Sequence, residues 1–520
     1  MGKEESGGKQ QLLHSVKTLL LSGIAYIVNY GILLVLTPFI TRTIGAEAYG
    51  FVTLAKEFSQ YATILTMALN TYAARFIGLS YHKGDLHQAN VYFSSVFWGN
   101  VALAISILSG ILVFIHFLDS VLVVSPSLLS DVKLLFFFTF VSFGVTTIFS
   151  VFGSAGYISN RMDLVGVFKT ASYVVKALFL MTAYLLLPPR AWYMALGMLA
   201  AALLLGVSDF GISRKYLPEI TVSHRNFSFG AVKQLVLNGF WASFNMVGDI
   251  LNSGLDLLVC NQMLTNLEMG QLAIAKTMQT IMQGVYYIVN QTFIPRFLKS
   301  YATDAPGKVI WELKLAMKVS GMLANVIFAC FAAFGLAFYK LWIPEQDIRV
   351  IYVLTIITIL TCIPSGPMQP LYYIYTLTLK QKLPCFITVI GGLINVASMY
   401  LLIRYAGMGV YAVAWTTVAV MCFINFVTNP LYMAYVLHMP PSTFYPDILR
   451  NVLSCGVLTS LFCGLSRLYM PDSWLTLILF GGFCALFGAP LHLLIVCSRD
   501  QLGALKALVR RAPKYKEENK

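Results

Sequence analysis

The chain has 520 residues, of which 58% are hydrophobic and only 11% charged, with a mean hydropathy of +0.74. So few charges cannot cover a water-soluble protein of this length, which excludes a soluble globular domain and makes lipid the main solvent. The net charge of +14 must then be explained by placement, and the nine cysteines, which lack paired spacing, read as small buried hydrophobes rather than a disulfide framework or zinc site.

Runs of about 20 apolar residues predict fourteen spans in chain order: 18–40, 48–74, 91–115, 132–153, 164–187, 191–208, 232–258, 269–294, 313–339, 349–374, 384–403, 408–434, 448–469 and 474–497. The second, fifth, seventh and eighth contain charges and rest on periodicity as well as hydropathy. Pro188-Pro189-Arg190 separates the fifth from the sixth, because consecutive prolines cannot continue a helix. The first run has no small-x-small cleavage pattern after it and reads as a span, not a removable signal. The long polar pieces are the first 17 residues, a connector at 209–231 and a tail at 498–520.

Lysine and arginine placement sets the orientation. With the N-terminus inside, 25 of the 36 fall on inner segments, inner span ends and the tail, and 6 on outer connections and outer span ends. The other five, Lys56, Lys133, Lys169, Lys176 and Lys276, lie within spans. This bias predicts both termini in the cytoplasm. It explains the basic character without nucleic acid, and it gives the inner faces an attraction for anionic lipid headgroups.

A repeat divides the chain. Gly50-Phe-Val-Thr-Leu-Ala55-Lys56 is matched 220 residues later by Gly270-Gln-Leu-Ala-Ile-Ala275-Lys276, and Asn70 by Asn290 at the same offset. Arg75-Phe76 and Arg296-Phe297 follow with one residue slipped, and Asn100-Val101 pairs with Asn325-Val326. Six spans per copy is an even number, so both copies keep one orientation and a pseudo-two-fold axis runs along the membrane normal. The predicted fold is an all-α integral membrane protein: an N-terminal lobe (18–208), the connector, a C-terminal lobe (232–434), and two further spans within 435–497.

Polar stripes mark candidate functional faces. In span 7, Asn238, Asn245, Asp249, Asn252 and Asp256 step by 7, 4, 3 and 4, the spacing of one helical face. An ionised Asp near a helix centre costs about 2.5–3.5 kcal/mol on the insertion scale, so this face is expected to avoid lipid. It either lines a cavity or pairs with Lys276 or a span-5 lysine. Span 1 carries a milder stripe of Ser22, Tyr26, Asn29 and Thr37. Lys56, Gln60, Thr63 and Asn70 in span 2 correspond to Lys276, Thr280, Gln283 and Asn290 in span 8, each set on one face. Span 5 adds Lys169 and Lys176, seven apart. The two repeated lysines either handle an anion in a cavity between the lobes or snorkel to the outer headgroups. Arg75 and Arg296 read as inner-side anchors, and the asparagines as cavity groups or interhelical glue worth about 0.6 kcal/mol each.

The stretch Leu36-Thr-Pro38-Phe-Ile-Thr-Arg42-Thr-Ile-Gly45-Ala-Glu-Ala-Tyr49-Gly50 resembles the first hairpin of polysaccharide-biosynthesis (Wzx-type) flippases of the multidrug/oligosaccharidyl-lipid/polysaccharide exporter superfamily. The resemblance implies a V-shaped bundle with alternating access. It implies as substrate an oligosaccharide repeat unit on an undecaprenyl-diphosphate carrier, moved to the outer leaflet of a bacterial cytoplasmic membrane, with polymerase and glycosyltransferases as partners. It also implies a cationic cavity, for which Lys56, Lys276, Lys169 and Lys176 are candidates. The acids Asp249 and Asp256, with Asn245 and Asn252, are candidates for a coupling proton or sodium ion or for sugar hydroxyls. No cofactor is implied. A peptidoglycan-precursor (lipid II) flippase and a cation-coupled multidrug antiporter of the same superfamily remain the alternatives. A membrane glycosyltransferase or polymerase is disfavoured, because neither the first outer connection, about 41–47, nor the longest, near 116–131, carries an Asp-x-Asp pair.

Overall fold

The computed structural model describes residues 2–503 apart from 292, 295–296, 298–299, 301–305, 379 and 499–500. Helix is the only regular structure among them. The helices are α1 (Gly2–Asn70), α2 (Ala73–His82), α3 (Leu86–His116), α4 (Leu118–Val121), α5 (Leu129–Ile158), α6 (Met162–Leu186), α7 (Tyr193–Tyr216), α8 (Phe229–Asp249), α9 (Asp256–Met263) and α10 (Asn266–Gln291). They continue as α11 (Pro306–Trp342), α12 (Ile348–Leu360), α13 (Cys362–Leu377), α14 (Lys382–Ala406), α15 (Val410–Phe423), α16 (Asn429–Val436), α17 (Tyr445–Leu468) and α18 (Trp474–Val496). Among the described residues, eleven stretches are long and apolar enough to cross a membrane, so the protein is a multi-pass membrane protein.

The first of these stretches is two spans. Gly45 adopts φ 84° and ψ 164°, which breaks α1; a Cβ disfavours that backbone region. Thr37 Oγ1 and Tyr49 Oη lie 3.4 Å apart, whereas twelve residues of straight helix would part them by about 18 Å. The chain therefore turns back at Gly45. The polar helices α8–α9 and α10 supply spans 7 and 8, which accounts for the fourteen expected. Pro364 removes the donor that would meet the Leu360 carbonyl, and span 10 is accordingly broken into α12 and α13. Spans 7 and 12 each contain a π-helical turn, Ile250–Gly254 and Ile424–Thr428.

The contacts group the chain into two compact units. The first comprises Met1–Ile274 and Thr388–Val413. Within it Gly50 and Gly270, equivalent positions of the repeat, touch. A Cβ on Gly50 would lie 3.1 Å from the Gly270 Cα, and one on Gly270 would run into the Ala46 carbonyl. Span 7 packs antiparallel along the second arm of α1. A Cβ on Gly239 would strike the Ala68 carbonyl, Ser243 Oγ donates to the Ile64 carbonyl at 2.8 Å, and Tyr61 Oη donates to the Gly254 carbonyl.

The connector also differs from a plain polar linker. α7 continues to Tyr216, with Arg214 and Lys215 in its last turn, where cations complement the helix dipole. Beyond it, Leu217 and Ile220 are buried in a cluster with Ile77, Tyr92 and Phe93. The strap's backbone is held by a ladder of side chains on α3. Thr221 N donates to Asn90 Oδ1 at 2.7 Å, Ser223 N to Ser94 Oγ at 3.1 Å, and Ser228 N to Ser95 Oγ at 2.9 Å.

The second unit comprises Ala275–Ile387 and Ala414–Lys520. Its core joins span 9 to the two last spans, with Val326, Ala329, Phe334, Leu458, Phe462 and Cys484 packed together. A buried ion pair supports this, Lys318 Nζ to Asp447 Oδ1 at 2.9 Å, with Lys314 at 3.4 Å from the other oxygen. Gln501 Oε1 accepts a further bond from Lys318 at 2.6 Å.

Candidate functional site

In the first unit, helical spacing gathers three of the predicted cations. Lys169, Tyr173 and Lys176 occupy i, i+4 and i+7 on α6, so they share a face. Lys169 Nζ lies 5.4 Å from the centre of the Tyr26 ring, a cation–π contact. Tyr26 stacks on Tyr30, with ring centres 6.2 Å apart, and both lie near the Tyr173 hydroxyl. Lys176 and Lys56 are close enough for their charges to act on one another. Lys56 keeps accessible surface although protein atoms crowd around it. Glu57, buried at 8% exposure, is its neighbour in charge. Gln60, one turn on, is exposed, and Asn29 is half-buried. Two like charges held together are relieved by an anion between them, so this wall suits a phosphate or carboxylate.

Span 8 begins in the first unit and carries Lys276, partly buried, into the second. Thr280 and Gln283 are exposed there. The asparagines at the far end of the stripe act differently. Asn70 and Asn100 exchange side-chain bonds at 2.9 and 3.0 Å, and Ser150 Oγ adds a third to Asn70 Oδ1 at 3.0 Å. In the second copy Asn290 Nδ2 donates to Ser320 Oγ at 3.2 Å. The partner of Asn100 under the 220-residue offset is therefore Ser320 and not Asn325, whose amide instead donates to the Asn451 carbonyl at 2.8 Å. The Asn-Val match misled because it followed residue identity over constant spacing.

The stripe of span 7 divides. A π turn inserts an extra residue and rotates everything after it. Asn245 and Asp249, before the turn, are accessible to varying degree and joined at 3.1 Å, with Asp249 exposed. Asn252 and Asp256 are buried, at 0% and 6% exposure. Asn252 Nδ2 donates to the Gly248 and Thr388 carbonyls, each at 2.7 Å, and Asn395 Nδ2 donates to the Asn252 carbonyl at 2.9 Å. These bonds fix span 7 to span 11. Periodicity could not have found Thr388 or Asn395, but Tyr173 was findable from its spacing between two lysines. Arg75 is exposed at the end of its span, and Arg296 lies outside the described residues.

A family model for polysaccharide biosynthesis proteins matches residues 15–301. The chain belongs to that family. A membrane protein of Bacillus subtilis (strain 168), EpsK, is 26% identical over 468 residues, which cover 90% of this chain and 92% of EpsK. Among solved structures, the lipid II flippase MurJ in an inward closed conformation has a TM-score of 0.61 at 14% identity, over 93% of this chain and 99% of MurJ. An inward-facing multidrug resistance MATE transporter of the MOP superfamily also has a TM-score of 0.61, at 12% identity, over 81% and 98%. A MOP superfamily transporter from Pyrococcus furiosus, described as having a binding pocket of reverse polarity, has 0.56 at 12% identity, over 81% and 96%. At these identities the structures show the fold, that of MATE- and MurJ-type transporters.

Proposed function

We propose that this member of the polysaccharide biosynthesis family is a flippase. Its substrate is an undecaprenyl-diphosphate-linked oligosaccharide repeat unit, moved from the cytoplasmic to the outer leaflet by alternating access. The observation that carries the reading is the wall of Lys56, Lys169 and Lys176 with Tyr26, Tyr30 and Tyr173. The paired lysines suit a diphosphate by charge, and the tyrosine rings offer flat apolar faces with polar tips to sugar rings. The polyprenyl tail stays in lipid, so the headgroup alone needs a polar route, and no bond is made or broken. On this reading the protein sits in a bacterial cytoplasmic membrane with both termini inside, beside the glycosyltransferases and polymerase that supply and use its cargo.

Complementation of a strain lacking such a flippase tests this. The wild-type chain should restore surface polymer, and Lys56→Ala with Lys176→Ala should not. Rescue of a strain lacking its peptidoglycan-precursor flippase instead would shift the reading to lipid II. The exposed Asp249, bonded to Asn245, supports a coupling-ion role. Asp249→Asn should then flatten the dependence of translocation on pH or sodium, and an unchanged dependence removes Asp249 from coupling. Lys276→Ala is expected to slow release at the outer end, in keeping with the position of Lys276 in the sequence.

A further inference from the structure

Span 7 opens the second copy of the repeat, yet the structure ties it to the first copy at three levels. At the lysine-rich face, the strap that leads into it is laddered onto α3, ending with Ser228, the residue that caps α8, on Ser95. At mid-height, Ser243 donates to the Ile64 carbonyl, and only the missing side chain of Gly239 lets the two backbones approach. At the lysine-poor face, Asn261, fully buried, brackets the Val123 backbone: Nδ2 donates to the Val123 carbonyl at 2.8 Å and Oδ1 accepts from Val123 N at 3.1 Å. Its neighbour Gln262 donates to the Val121 carbonyl at 2.6 Å.

Most of these bonds have a backbone group on one side, and they are spread over the whole length of the span. Separating span 7 from the first repeat would break bonds at all three levels, and at mid-height it would leave the part-buried Ile64 carbonyl without Ser243. We infer that span 7 moves with the first repeat during transport, so that the moving boundary lies beyond span 7 and not at the repeat boundary. The anion wall of Lys56 and Lys176 and the exposed Asp249 then keep one fixed arrangement through the cycle, and alternation changes access to them without rebuilding them. This inference rests on the transporter reading.

Two double-cysteine variants test it, Ser95→Cys with Ser228→Cys and Val123→Cys with Asn261→Cys. Each is oxidised in proteoliposomes that contain a fluorescent undecaprenyl-diphosphate oligosaccharide, with the cross-link verified by mass spectrometry and each single variant as control. Translocation within two-fold of the reduced protein for both pairs supports the inference. A ten-fold loss at either end that reductant reverses overturns it. If Asn261→Cys does not fold, Val121→Cys with Gln262→Cys carries the outer test. A parent protein that moves no such lipid would sink the proposed function alone. Spin labels at exposed Ser106 on α3 and Leu237 on α8 then decide the tether, for which one unchanging distance across detergent and lipid is expected and two distances refute it.

Discussion

The two copies of the repeat keep the same asparagine clamp, and lysines near the two clamps are partnered differently. In the first, Asn70 holds Asn100, and the nearby lysines are grouped with each other and with tyrosine rings. In the second, Asn290 holds Ser320, and the cations two residues before it and further up span 9 are consumed by Asp447. Lys318 beside Asp447 is a fastener, whereas Lys56 and Lys176 lie close enough to repel one another, with Glu57 as the carboxylate near Lys56. The two copies share the clamp and differ in the company these lysines keep.

The largest effect should come from removing the massed charge. Lys56→Ala combined with Lys176→Ala is expected to lower translocation by about 100-fold or more, since a charge-assisted contact is worth roughly 1.5–3 kcal/mol. Thermal unfolding of that variant in detergent should stay close to the parent, and a large loss of stability would make the lysines braces too. The mirror experiment is Lys318→Met, which leaves Asp447 buried without its closest partner. It should destabilise by about 3–5 kcal/mol, read as a lower unfolding temperature, while the folded fraction still translocates. A stable but inactive Lys318→Met protein would erase the contrast between the copies.

Smaller effects sharpen the frame. Asn70→Ala should cost about 1–2 kcal/mol by leaving the buried Asn100 Oδ1 without its donor, and Asn290→Ala, which loses one hydroxyl partner, about 0.6 kcal/mol. Equal losses by chemical denaturation would mean that the clamps are not graded by their partners. Tyr173→Phe should leave translocation within about two-fold and Tyr173→Ala reduce apparent affinity several-fold, because the ring face, worth about 0.5–1.5 kcal/mol, does the holding. A deficit in the Phe variant as large as in the Ala variant would shift the role to the hydroxyl.

Much of this frame was legible in the residues. Apolar runs located the spans, and the 220-residue offset paired Asn70 with Asn290, which hold the equally offset Asn100 and Ser320. The limits came from effects that periodicity does not register. One extra residue in the π turn of span 7 separated Asn245 and Asp249 from Asn252 and Asp256 without altering the hydropathy of the run. Asn252 found its partners, Thr388 and Asn395, more than a hundred residues away. The connector looked like a linker because polar composition is shared by linkers and by straps. What distinguishes this one is Asn90, Ser94 and Ser95 on another helix, spaced to receive its backbone.

Gly50 and Gly270 are counterparts in the repeat, and they lie against each other. A point that touches its own image lies on the axis that relates the two. At this crossing each copy of the repeat is the other's surroundings, so a side chain added to one glycine is at once an obstruction beside the second. Elsewhere along the chain the copies were free to drift into separate roles; here neither can change without the other meeting the change.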